Sequence, residues 1–243
     1  MPEAAKAFRA CVFGASGGIG SALAAAVLAK HSNACVYAGS RGGVAVADAS
    51  LFAFDLLDET SIAAAAAKIG ADGALDLVIV ATGLLHDGAT HAPEKSSSMQ
   101  SAAAYARAFA VNATGPALIG KHFLPLLARD RRAVFAAISA RVGSISDNRL
   151  GGWHAYRASK AALNMIVANF AIELRTRNKT AIAVTLHPGT VATALSEPFQ
   201  RNVPDGKMFT PEYAAGRMLE TIDALGVADS GGLFAWDGER IGF

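Results

Sequence analysis

Tyr156 and Lys160 stand four residues apart in the stretch Tyr156-Arg157-Ala158-Ser159-Lys160, which reads as helix. Four residues is close to one helical turn, so the two side chains rise on one face. An ammonium beside a phenol stabilises the phenolate and draws a pKa ordinarily about 10 toward working pH. A tyrosine tuned in this way is a general acid or base. The same spacing also arises when a half-buried aromatic stands beside a solvated charge, so the surrounding elements must decide.

Residues 8–13 form a short apolar run, and Gly14-Ala15-Ser16-Gly17-Gly18-Ile19-Gly20 follows it, opening an alanine-rich helix to about residue 30. The order strand, glycine turn, helix predicts a dinucleotide site. Gly14 permits the turn, Gly18 lets a pyrophosphate approach the backbone, Gly20 lets helix pack on strand, and the helix N-terminus faces the phosphates. Ser16 and Ile19 belong to the same cofactor-binding turn. No Gly-Lys-Ser or Gly-Lys-Thr ends it, which disfavours a triphosphate loop. The second strand, 34–39, runs into Ser40-Arg41 where an NAD site would carry an acid for the ribose hydroxyls. A guanidinium there suits a 2′-phosphate, so NADP(H) is favoured over NAD(H). The alternative is a plain loop cation.

Further strands are expected at 51–54, ending at Asp55, and at 75–81, ending in Thr82-Gly83 where the backbone passes close to a cofactor. Others are expected at 134–138, at 180–186 before His187-Pro188-Gly189, and at 233–235. Helices are expected from the Asp58 cap to about 69, at 99–109, at 112–128, from Tyr156 to about 176, and after Thr210 with Pro211 in the first position. This alternation predicts an α/β, single-domain, doubly wound parallel sheet of Rossmann type over 1–243, with helices on both faces. Residues 190–209 form a long loop bearing Leu195, Phe199, Met208 and Phe209, expected to close the substrate pocket. With Leu84, Leu85 and Trp153 they imply a small hydrophobic substrate.

Apolar residues make up 52% of the 243 and charged ones 17%, with a formal charge of +2, so a large core is available and no basic run offers itself to nucleic acid. The cluster Arg129, Arg131 and Arg132 reads as cations at a helix end. Cys11 and Cys35 lie in apolar runs and read as small buried hydrophobes, which fits a cytoplasmic protein. The start lacks a signal-peptide core, and the longest apolar stretch, 75–85, is too short to cross a bilayer, so no membrane role is expected. Six histidines show no metal-type spacing. Apolar, alanine-rich helices at 112–128 and 156–176 suggest a homo-oligomer, a dimer or tetramer.

With Gly14, Gly18, Gly20, Asn112, Tyr156, Lys160 and the Pro188-Gly189 break in this order, the chain resembles the short-chain dehydrogenase/reductase family over nearly its whole length. Leu84-Leu85-His86-Asp87, Arg141-Val142-Gly143-Ser144-Ile145 and Phe234-Ala235-Trp236-Asp237-Gly238 look like its C-factor or sniffer-type carbonyl reductase group. The resemblance implies that Tyr156 exchanges a proton with a carbonyl or alcohol oxygen as hydride moves to or from a nicotinamide. It implies that Lys160 lowers the Tyr156 pKa and holds the nicotinamide ribose, and that Asn112 bends a helix and links Lys160 to solvent. Asp55 matches an adenine contact. Thr190-Val191-Ala192-Thr193, after Pro188-Gly189, matches the segment that bonds carboxamide and pyrophosphate, with Val191 and Thr193 as the binding residues. Two departures stand out. Val80-Ala81-Thr82-Gly83 replaces the family's Asn-Asn-Ala-Gly, and Ser139-Ala140-Arg141-Val142-Gly143 puts Ala140 where the catalytic serine belongs. Ser139 is the expected substitute, ahead of Ser144. The reading is an NADP(H)-dependent oxidoreductase acting on a carbonyl or secondary alcohol; the rival is a dinucleotide-binding sensor or signalling protein with little turnover.

Overall fold

Alternation along the first strand already sorts the core into two halves. In β1 (Arg9–Phe13), Ala10 and Val12 face one side of the sheet while Cys11 and Phe13 face the other. The structure, a computed structural model, describes residues 7–42, 46–88, 91–202, 204 and 206–243. After β1 come α1 (Gly18–Lys30), β2 (Cys35–Ser40), β3 (Ser50–Ala53), α2 (Glu59–Ala71) and β4 (Leu77–Val80). Then follow α3 (Ala102–Phe109), a π-helical turn (Ala110–Thr114), α4 (Gly115–Phe123), β5 (Ala133–Ile138), α5 (His154–Arg177) and β6 (Ala181–His187). Two short strands, β7 (Thr190–Val191) and β8 (Met208–Phe209), precede α6 (Pro211–Ala224), β9 (Leu233–Ala235) and β10 (Arg240–Ile241).

The eight-stranded sheet has the order β10-β9-β6-β5-β4-β1-β2-β3. Its pairings are parallel except β9 with β10, which is antiparallel. The strand order reverses between β1 and β4, where Phe13 is level with Val80, and this switch point opens the crevice at the C-terminal edge. Strand β4 is buried throughout, as its unbroken Leu-Val-Ile-Val predicts for a central parallel strand. Leu23 and Val27 of α1 and Met218 and Ile222 of α6 pack on one face; Ile62, Ile119, Phe123, Leu163 and Val167 from α2, α4 and α5 pack on the other.

Local chemistry sets the helix starts. Asp58 accepts from Thr60 N at 2.9 Å, Ser101 from Ala104 N at 3.1 Å, and Thr210 from Tyr213 N at 3.2 Å with Pro211 behind it. Several expected bounds shift. The helix at 99–109 begins only at Ala102, and 112–128 is a π-turn, an α-helix and a 3₁₀ turn (Leu124–Leu126) in succession. Strand β10 was not expected, and 190–209 is not a bare loop: β7 and β8 pair at its ends and a 3₁₀ helix (Glu197–Asn202) lies between. Arg132 does end a helix, but a distant one, donating to the Ile222 and Leu225 carbonyls behind α6. Arg131 bonds the carboxylates of Asp76 and Asp130. Cys11 is buried and Cys35 half-buried, both free thiols. Among the described residues no helix is long and apolar enough to cross a membrane, and no three His, Cys, Asp or Glu side chains gather as a metal site would require.

Candidate active site

The predicted cofactor residues fall at the C-terminal edge of the sheet. Gly14 sits at φ +83°, and its N–H donates to Gly39 O at 3.0 Å, which ties the β1–α1 turn to β2. The turn is tight enough that a Cβ on Gly20 would stand 2.2 Å from Gly14 O. Ser16 and Gly18 are exposed in the crevice, Ile19 is half-buried, and the first turn of α1 carries no acidic residue. Opposite, a Cβ on Gly18 would lie 3.0 Å from Thr193 Cγ2, so Thr193 can come this close to the turn only because residue 18 lacks a side chain. Ser40 Oγ donates to Gly42 O at 3.1 Å, beside exposed Arg41. Asp55 is exposed and folds the loop after β3, its Oδ1 accepting from Leu57 N at 2.9 Å. Thr82 follows β4 with its hydroxyl buried and without a partner. Pro188 is buried, Gly189 takes φ +78° under the Phe209 ring, Val191 is buried in β7, and Thr193 N–H donates to Ser196 Oγ at 3.2 Å.

Tyr156 and Lys160 are buried on the first turns of α5. Lys160 Nζ donates to Ile138 O at 2.8 Å, at the end of β5, and lies 5.9 Å from the centre of the Tyr156 ring. Burial pushes the phenol of Tyr156 well above its usual pKa and brings Lys160 down to about 8. The lowering of Tyr156 expected from its cation is therefore not what the protein shows: with the ammonium turned to a carbonyl, loss of hydration dominates.

Asn112 is fully buried in the π-turn, where the helix bends. Its Oδ1 accepts from Leu84 N at 2.7 Å, and its Nδ2 donates to Leu84 O at 2.8 Å and to Ser159 Oγ at 3.0 Å. Ser159 in turn donates to Tyr156 O at 2.8 Å. A Cβ on Gly83 would sit 3.6 Å from Lys160 Nζ and 3.7 Å from Asn112 Oδ1, so the chain leaving β4 passes directly over the pair.

The hydroxyl beside Tyr156 is the part the structure does not assemble. Ser139 donates to Asn164 Oδ1 at 2.7 Å, eight residues and about 12 Å further along α5. Ser144 donates to Gly242 O and accepts from Asp147 N at 3.1 Å. Ala140 instead shares the apolar cluster of Leu85 and Tyr156, covered by Val142, Trp153, Leu195 and Phe199. Two contributors escape sequence reading: Ser159, which looks like any small helical residue, and Glu94, from the polar 86–98 connection, which accepts from Ala155 N at 3.2 Å at the start of α5.

A glycine turn at the switch point of a doubly wound sheet, with a buried Tyr–Lys pair across the crevice, marks a Rossmann-type oxidoreductase fold. The sequence profile described as short chain dehydrogenase matches residues 9–204, and the chain belongs to that family. It is 37% identical over 136 residues to C-signal of Myxococcus xanthus, the match spanning 56% of this chain and 76% of that protein. It is 38% identical over 126 residues to 1-hydroxy-2-glutathionyl-2-methyl-3-butene dehydrogenase of Rhodococcus sp. (strain AD45), spanning 51% and 52% of the two chains. Among solved structures, NADPH-bound carbonyl reductase from chicken fatty liver superposes with a TM-score of 0.83 at 26% identity, covering 98% of this chain and 95% of that one. The carbonyl reductase Sniffer of D. melanogaster gives 0.84 at 21% identity over 98% and 100%, a likeness of fold.

Proposed function

We propose that this chain is an NADP(H)-dependent oxidoreductase that transfers a hydride between the nicotinamide and a carbonyl or secondary alcohol, with Tyr156 as general acid/base. The observation that carries this reading is the buried Tyr156–Lys160 pair, its phenol within an apolar cluster and its ammonium beneath Gly83 as the chain leaves β4. The residues present fit a dinucleotide: the partnerless Thr82 hydroxyl, a side-chain-free backbone at Gly18 and a helix N-terminus without an acid all suit a phosphate-bearing ligand. Gly14, Ser16, Gly18, Ile19 and Gly20 would hold the pyrophosphate, Asp55 the adenine, and Thr82, Gly83, Pro188, Gly189, Val191 and Thr193 the nicotinamide end. Ser40 and Arg41 would hold the 2′-phosphate, and the NADPH-bound chicken carbonyl reductase supports that preference. When bound, NADPH supplies the hydride.

Tyr156, kept protonated by burial, donates its proton to the carbonyl oxygen. Lys160, charged below about pH 8, offsets the phenolate that remains. Asn112 fixes the strand-to-loop turn at Leu84 and, through Ser159, the backbone of Tyr156 itself. The apolar cover favours a small hydrophobic substrate and keeps water from the reacting atoms.

The test is NADPH oxidation against a panel of aldehydes, ketones and quinones. Tyr156→Phe is expected to lower kcat by about 10²–10⁴ while NADPH still binds, and Arg41→Ala to weaken NADPH far more than NADH. Equal losses for the two cofactors would reject the 2′-phosphate assignment. A second reading, a dinucleotide-binding sensor with little turnover, is favoured by one observation, the alanine at 140 with Ser139 tied to Asn164. Tight NADPH binding with no carbonyl reduced above the Tyr156→Phe background would establish it. We also infer a homo-oligomer formed through α5, whose Met165 and Ile172 are exposed; a monomer by light scattering at micromolar concentration removes this.

A further inference from the structure

The residue before α5 is of the wrong type for its place. Trp153 is the N-cap of the helix that bears Tyr156, yet its side chain makes no capping bond and its backbone is left-handed, at φ 50° and ψ 42°. A left-handed position suits glycine or asparagine, and an N-cap suits Ser, Thr, Asp or Asn. A bulky aromatic in this conformation is an outlier, and such strain gathers at functional sites.

Neighbours supply what the tryptophan cannot. Glu94, buried, accepts from Ala155 N with its carboxylate and from Trp153 N with its own carbonyl. Arg157 donates to Gly151 O at 3.1 Å and Gly152 O at 3.0 Å, holding the left-handed run Gly151, Gly152, Trp153 from the other side. A carboxylate and a guanidinium are thus committed to keeping an indole where a cap belongs. That indole stands 6.2 Å from the Tyr156 ring at 73° and 4.9 Å from Phe199 at 55°. Phe199 comes from the segment between β7 and β8 and packs its ring against the indole. The cluster around it, Leu85, Ala140, Val142 and Leu195, carries no charge.

Resting on the oxidoreductase reading, we propose that Trp153 determines specificity and that the preferred substrate is a neutral carbonyl compound conjugated to an aromatic ring, the ring lying against the indole with its carbonyl at Tyr156. The carbonyl carbon takes a hydride from NADPH and the oxygen a proton from Tyr156, giving the alcohol, secondary where the substrate is a ketone, and NADP⁺.

The experiment compares 2-acetonaphthone with 2-decanone for wild type, Trp153→Gly and Trp153→Phe. Wild type is expected to prefer 2-acetonaphthone. In Trp153→Gly, whose residue type suits the backbone, kcat/KM for the aryl ketone falls about tenfold further than that for 2-decanone, through KM rather than kcat, with NADPH affinity little changed. Trp153→Phe keeps most of the preference. A wild-type preference for 2-decanone, or equal losses on both ketones in Trp153→Gly, overturns the proposal and leaves the oxidoreductase reading standing. If neither ketone is reduced, quenching of tryptophan emission by 2-acetonaphthone in wild type but not in Trp153→Gly upholds the ring platform while the oxidoreductase reading fails. No quenching in either sinks both.

Discussion

Tyr156 holds its proton because burial costs the phenolate its hydration, and the ammonium of Lys160 is turned toward Ile138 O. This suits giving a proton to a carbonyl oxygen better than taking one from an alcohol. The site lacks the second donor that would share the developing charge, since Ala140 presents a methyl group. Ala140→Ser is expected to raise kcat by about tenfold or more, whereas Ala140→Val gives no gain; steady-state rates decide it. Lys160 sets the upper pH limit. It is charged below about 8 and neutral above, so reduction falls as pH rises through that value, and a pH–rate profile with no basic limb there would reject the role. The same shift has a stability sign. The folded pKa lies below the unfolded value of about 10.4, so between the two the unfolded chain binds more protons, and the penalty of burying the ammonium fades as pH rises across that window.

At the scale of elements, the π-turn links catalysis to stability. Removing the Asn112 amide leaves both the N–H and the C=O of Leu84 without their partner, so Asn112→Ala is expected to cost about 1–3 kcal/mol in urea denaturation, and to lower kcat more than it raises KM. The resemblance put a bend at Asn112, but the residues themselves do not show it, because Ala110-Val-Asn-Ala-Thr continues a helical pattern on both sides and only tertiary bonds from Asn112 single it out. The strands of the main sheet up to β9 and most helix starts were legible, though β7 and β8 inside the expected loop were not, since Leu77–Val80 reads as one apolar run and Asp58 and Thr210 act through neighbours in sequence. Strand β10, two residues long, is too short to leave a pattern. The glycine turn and the Tyr–Lys pair were legible because each is a local spacing. Ser139 was not: alternation says only that it and Ala140 face opposite ways, and which of them meets Tyr156 depends on where α5 crosses the sheet. Arg132 likewise caps α6 across ninety residues of chain.

For the whole molecule, acid is the weak side. His187 ends β6 with its Nδ1 buried and unpartnered, and burial with the nearby Arg141 holds its pKa at about 4, well under the ordinary value. As pH falls from about 6.5 to about 4 the unfolded chain takes up a proton that the folded one refuses, so up to about 3 kcal/mol of stability is lost across that window. The melting temperature of wild type should fall relative to that of His187→Phe as pH drops from about 6.5 to about 4; parallel curves would exclude this histidine as the cause. The packing of α1 against α6, with Lys30 paired to Asp223, joins the first helix of the chain to the last. The flank of α1 that meets α6 is therefore left without that partner until about 180 further residues have been added. At roughly 5–20 residues per second that is about 10–40 s on the ribosome, during which α1 has only the sheet to pack on, and folding can finish only after α6 has left the exit tunnel.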